Sequence, residues 1–170
     1  MTDAEFRDVF HRHKNVVHRF AYRMSGSSST AEDIVQDCFL ILWKKPAAYD
    51  PNRGSMQGFL LGVARNLVLK GWRDERPHET LEDQSFVGEP LDAREDARAE
   101  AVERAVLMLP PLQREAVVLA EYEEMSLEEI ARATQADLAA VKSRLHRARQ
   151  NLRRMLAPLL EARGVFNETK

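Results

Sequence analysis

The stretch AAVKSRLHRARQNLRRML, residues 139–156, carries six cations and no acid: Lys142, Arg144, Arg147, Arg149, Arg153 and Arg154. Arginine can bond a guanine edge with two parallel donors, and lysine can neutralise phosphate. That chemistry needs an element to aim it. Val141, Leu145, Ala148, Leu152 and Met155 recur at three- and four-residue steps, so they share one helical face. Lys142, Ser143, Arg144 and Arg147 lie near the N-terminal end of the same helix and point elsewhere. Upstream, Ser126 and Glu129 form an S-x-x-E capping box, a start signal with a cap contribution of about 1 kcal/mol. It predicts a short helix from Leu127 to about Thr134, then the connection QAD with Asp137 as N-cap, then the long basic helix from about Leu138. Short helix, tight connection, longer helix is the spacing of a helix-turn-helix, whose second helix enters the major groove by its N-terminal end. A second reading stands beside this one. Any amphipathic helix needs a polar face, and this could be merely a solvated one. A face of a single sign, without the Glu–Lys pairs that steady isolated helices, and a capping box that places a second helix where the turn needs it bring the groove reading level with the solvated one.

The whole chain opposes that basic face. Its 170 residues have a formal net charge of −2. The acids cluster elsewhere, at Glu79, Glu82, Asp83, Glu89, Asp92, Glu95 and Asp96, and again at Glu121, Glu123, Glu124, Glu128 and Glu129. Screening acts over about 8 Å at physiological salt, so a local basic surface matters more to phosphate than the molecular total. The acidic balance still predicts weak non-specific binding by the free protein.

Other chemistries find little support. Cys38 is the single cysteine, so an intrachain disulfide is impossible. The five histidines lack paired zinc spacing, and His11 with His13 reads as a surface pair. No nucleophile constellation, metal site, phosphate loop or cofactor motif stands out. We expect no catalysis, no metal, no cofactor and no small-molecule substrate. No apolar run approaches the about 18 residues of a membrane span, so no membrane insertion is expected. The N-terminus MTDAEFRDVF lacks the pattern of a signal peptide, which points to the cytoplasm.

The supporting elements read as all-α. Phe6, Val9, Phe10, Val16, Val17, Phe20, Ala21 and Met24 form a first helical stripe. SGSSST breaks it. Thr30 with Asp33 resembles a cap for a second helix, which carries Ile34, Val35, Cys38, Phe39, Leu42 and Trp43 and stops at Pro46. AYDPNRG is a loop, and a third helix runs from near Ser55 to about Arg73. RPHETLEDQSFVGEPLD then reads as a flexible acidic linker, able to span on the order of 60 Å when extended. Helical signal resumes near Arg94 and breaks at Pro110-Pro111. The expected fold is two small helical domains, an N-terminal helical bundle over 1–75 and a C-terminal helix-turn-helix domain over 95–163. A linker over 76–94 joins them, and a tail over 164–170 follows.

AEDIVQDCFLILWKK, GFLLGVARNLVLKGWRDE, LPPLQREAVVLAEYEEMSLEEIA and VKSRLHRARQNLRRML occur in that order. From about Phe6 to Leu156 the chain resembles bacterial RNA polymerase sigma factors of the extracytoplasmic-function (ECF) type, in the sigma-70 family. The resemblance implies a sigma factor that binds core RNA polymerase, directs it to promoter DNA and is regulated by an anti-sigma factor. It implies a polymerase-docking surface at Asp33, Gln36, Asp37, Phe39 and Trp43, although part of each ring could be ordinary core. It implies minus-ten reading by Arg65, Asn66, Lys70 and Arg73, and capture of an unstacked base by the loop with Tyr49, Asn52 and Arg53. Stacking and edge bonding suit that task, and loop anchoring is the equal alternative for Tyr49. Lys142, Ser143, Arg144 and Arg147 match the minus-thirty-five contacts. Two departures stand out. The family's turn usually has glycine where Gln135 stands, which would put glutamine at an uncommon positive φ. Met56 and Phe59 stand where Phe and Trp usually open the minus-ten helix.

Overall fold

The computed structural model describes residues 1–92 and 98–167. Seven α-helices and no strand occur among the described residues. Helix α1 spans Asp3–Ser25. Thr2 caps it, accepting the Glu5 N–H, while the Glu5 carboxylate accepts the Thr2 N–H at 2.7 Å. Its stripe buries Val16, Val17, Phe20, Ala21 and Met24. Gly26 ends it at φ 70°, where a side chain would be strained.

Helix α2, Ser28–Lys44, begins earlier than its sequence suggests. Ser27, in extended backbone, accepts the Thr30 N–H at 3.2 Å, so Thr30 is already helical and is not the cap. Pro46 stops α2 and opens a short 3-10 turn, Pro46–Ala48. Helix α3, Met56–Glu75, is capped by Ser55 and buries Leu60, Leu61, Ala64, Val68 and Leu69. Cys38 is held between α2 and α3, its Sγ donating to the Leu60 carbonyl at 3.4 Å. Burial pushes its thiol up to about 12. The thiolate is the nucleophile, so at pH 8 the native protein should react with iodoacetamide about a thousandfold more slowly than a free thiol. Mass spectrometry should find alkylation only after unfolding. Rapid labelling of the native chain would show that the α2–α3 seam opens.

The second half comprises α4 (Arg98–Met108), α5 (Pro111–Val117), a π-helical turn (Val118–Tyr122), α6 (Leu127–Thr134) and α7 (Leu138–Asn167). The Ser126–Glu129 capping box forms as expected. Gln135 does adopt φ 53°, so the turn keeps its left-handed residue without glycine. Val141, Leu145, Ala148 and Met155 are buried on one face of α7, with Leu152 packed at its edge.

The two halves pack on one another. Helix α3 lies against α6, and α1 against α4, α5 and the π turn. Gly62 lets α3 approach α6 closely, since a Cβ there would stand 3.1 Å from the Ala133 carbonyl oxygen. The expected linker has no helix over its described residues, and several of them hydrogen-bond to the C-terminal half. The Leu112 N–H donates to Leu81 O, Gln113 Nε2 to Asp83 O, the Gly88 N–H to Asn151 Oδ1 and the Leu91 N–H to Met155 O, at 2.9–3.2 Å. Phe86 and Leu91 add apolar contact. Acidic composition suggests solvation, but at Leu81, Asp83, Gly88 and Leu91 the backbone has hydrogen-bond partners on α5 and α7. The boundary expected at 94–95 and the end of the tail lie outside the described residues, and α7 runs into the expected tail as far as Asn167.

Candidate nucleic-acid interface

Asp33, Gln36, Asp37 and Trp43 all lie exposed on α2. Phe39 does not join them. It is 3 % exposed and packs edge-on against Phe6 and Phe10, with ring centroids 6.3 and 4.9 Å away. It is core and supports the surface from beneath. The exposed apolar residues there are Leu40, Ile41 and Trp43, at 45, 36 and 45 %. Leu40 and Ile41 lie off the stripe that the α2 sequence marks, so periodicity gives no sign of them. Three large apolar side chains left on one stretch of helix, rimmed by carboxylates and an amide, have the composition of a docking face.

Tyr49 is half-buried, its ring 5.7 Å from that of Phe59. Asn52 and Arg53 are exposed at the loop's tip. Asp50 organises this turn: its carboxylate accepts the Asn52 N–H and its carbonyl the Arg53 N–H. On α3, Asn66, Lys70 and Arg73 are exposed. Arg65 is engaged elsewhere. Its Nε and Nη2 donate to the two oxygens of Glu115 on α5, at 2.7 and 3.0 Å. Glu115 is nearly fully buried, which pushes its carboxyl up, while the Arg65 guanidinium holds it down. A carboxylate so buried is costly without a forked partner, and Arg65 supplies that fork across the two halves.

A neighbouring arginine does similar work. Arg114 on α5 is buried, donating to the carbonyls of Met24, Leu107 and Leu109 and lying 5.0 Å over the Trp72 ring. Burial brings its pKa down to about 10, so it stays charged at neutral pH. Arg23 closes the opposite edge over the Tyr122 ring, at 4.0 Å. These contacts join residues far apart in the sequence and have no local signature.

At the start of α7, Lys142 and Ser143 are exposed, whereas Arg144 and Arg147 turn toward the linker. Glu82 Oε1 lies 3.2 Å from Arg144 Nε and 3.9 Å from Arg147 Nη1. Arg149 donates to Glu121 at 2.9 Å. The cations that lack acids within their own stretch thus find several of them in distant segments. No group of His, Cys, Asp and Glu able to hold a metal occurs among the described residues. No described helix is long and apolar enough to cross a membrane.

Among the described residues, a helical fold with an exposed apolar face on α2 in one half and a helix-turn-helix in the other has the architecture of a DNA-binding protein. Residues 9–78 match the family description "Sigma-70 region 2", and residues 99–152 match "Sigma-70, region 4". The RNA polymerase sigma factor CarQ of Myxococcus xanthus is 30 % identical over 158 residues, covering 91 % of this chain and 90 % of that protein. The ECF RNA polymerase sigma factor SigE of Mycolicibacterium smegmatis is 36 % identical over 158 residues, covering 88 % of this chain. The match spans 61 % of SigE's own length. The fold also matches two solved structures. One is the sigma factor RpoE in complex with the anti-sigma factor NepR from Bartonella quintana, with TM-score 0.67, 23 % identity, 91 % of this chain and 95 % of that one. The other is CnrH in complex with the cytosolic domain of CnrY, with TM-score 0.68, 24 % identity, 95 % of this chain and 90 % of that one. The chain belongs to the sigma-70 family of RNA polymerase sigma factors.

Proposed function

We propose that the protein is a promoter-directing subunit of RNA polymerase, acting in the cytoplasm by binding and without catalysis of its own. The observation that carries this is the joining, in one chain, of an exposed apolar docking helix and a helix-turn-helix whose reading end carries Lys142, Ser143, Arg144 and Arg147. Asp33, Gln36, Asp37, Leu40, Ile41 and Trp43 dock on core polymerase. Tyr49, Asn52, Arg53, Arg65, Asn66, Lys70 and Arg73 serve the minus-ten element, and the start of α7 reads the minus-thirty-five element. Arg65 and Arg144 then have to leave their internal acids, so the packed arrangement opens when polymerase and promoter engage. An anti-sigma factor holds the chain inactive, as the partners of the two structural relatives suggest; co-purification from native cells with mass spectrometry identifies it.

Run-off transcription with purified core polymerase tests the reading. Specific start sites from a promoter library are expected, and their absence overturns it. Asp37→Arg should weaken association with core polymerase about tenfold by reversing a rim charge. Unchanged co-purification would remove Asp37 from the interface.

A further inference from the structure

The placement of Glu82 is not incidental to a loose strap. The backbone carbonyls on either side of it, Leu81 O and Asp83 O, are both held, by the Leu112 N–H and by Gln113 Nε2. Gln113 is itself fixed, because its Oε1 accepts from Asn151 Nδ2 at 2.9 Å. Asn151 in turn accepts the Gly88 N–H farther along the linker at 3.0 Å. Gly88 fits this place because it lacks a Cβ. A Cβ there would lie 2.7 Å from Met155 Cγ and 2.8 Å from the Asn151 carbonyl oxygen. The outcome of this buried polar chain is that one linker carboxylate stands between Arg144 and Arg147. The Arg144 side chain is left only 13 % exposed.

A carboxylate oxygen facing two guanidiniums offers what a DNA phosphate or a guanine edge offers: an acceptor for forked N–H donors. We propose that Glu82 is an internal mimic of the nucleic-acid acceptor, which covers the reading end of α7 in the free chain and must be displaced before duplex DNA can bind. This rests on the proposed reading of α7 as a DNA-contacting helix and adds to it a source of restraint inside the chain. The linker covers α7 through the chain's own hydrogen bonds, so the restraint needs no partner protein.

The test is duplex affinity of the full-length free protein, measured by fluorescence anisotropy on a short labelled duplex of random sequence at low salt. Glu82→Gln removes the mask and one negative charge. Glu89→Gln removes the same charge from an exposed linker position and is the control for general electrostatics. Glu82→Gln should bind about fivefold more tightly than wild type, and Glu89→Gln less than twofold. Gly88→Ala keeps every charge but cannot seat against α7, so it should raise affinity as well, with helicity unchanged by circular dichroism. Equal gains from Glu82→Gln and Glu89→Gln, or a gain from neither, would overturn the proposal. So would a folded Gly88→Ala that binds like wild type. These outcomes are separate from those of the run-off assay. Specific transcription without a Glu82 effect removes the mask alone, and a Glu82 effect without specific transcription removes the sigma reading alone.

Discussion

Arg114→Ala should lower the unfolding free energy by about 3 kcal/mol, within the range for breaking a buried charged network. The guanidinium serves three carbonyls, those of Met24, Leu107 and Leu109, and it lies over Trp72. Alanine leaves these acceptors inside the protein with no donor and opens a void beneath the Trp72 ring. Met24 belongs to α1 and Leu107 to α4, so the loss loosens the junction of the two halves as well as the C-terminal half itself. Lysine would recover only part of the stability, because one ammonium cannot present the planar fork that spans the three acceptors. Urea denaturation followed by circular dichroism gives the number. A loss under about 1 kcal/mol would mean that water reaches the carbonyls in place of the guanidinium. The charge does not give this stability freely. Its Nε has no hydrogen-bond partner among the described residues, and burial, with the nearby charge of Arg76, brings the pKa down to about 10. Arg114 is retained against a desolvation cost, and that makes its removal costly.

Arg114 also shows where sequence reading reaches its limit. The stripe of α1, the capping box at Ser126 and Glu129, and the strain at Gln135 are local facts. Each follows from residues within one or two turns, and each is legible as a pattern. The exposure of part of the candidate site is legible too. Asn66, Lys70, Arg73, Lys142 and Ser143 are exposed where the pattern puts them. Their present partners were not legible. Arg65 meets Glu115 across 50 residues, and Arg144 meets Glu82 across 62. No periodicity encodes such pairs, because they exist only once α5 and the linker are folded against α3 and α7. The same limit explains Phe39, which sequence alone left divided between core and docking surface. Its ring is claimed by Phe6 and Phe10 on α1, a choice made by packing between helices. It explains Leu40 and Ile41 too. Apolar periodicity marks what a helix could bury, and on α2 it does not say which apolar residues the rest of the chain leaves uncovered.

In reconstituted holoenzyme, Arg144→Ala should cut promoter-specific transcription about 5- to 150-fold, the equivalent of about 1–3 kcal/mol. It should also relax the preference for a single upstream base pair, since a forked contact to one guanine edge is lost. An equal loss on every sequence would assign Arg144 to phosphate. The interpretation is sharpened by what Arg144 does before DNA arrives. In the free chain it is bound to Glu82, so substitution removes an internal contact and an external one together. The two are separable by a double-mutant cycle. In the free chain, Arg144→Ala should erase most of the gain in duplex affinity that Glu82→Gln brings, because the freed carboxylate partner was the source of that gain. In the holoenzyme on promoter DNA, with Arg144 already transferred to the duplex, Glu82→Gln should leave the Arg144→Ala defect unchanged. Strong coupling in the first setting and none in the second is the signature of one guanidinium with two successive acceptors. Coupling of the same size in both would mean that Glu82 stays on Arg144 in the transcribing complex, where it would orient the arginine instead of hiding it.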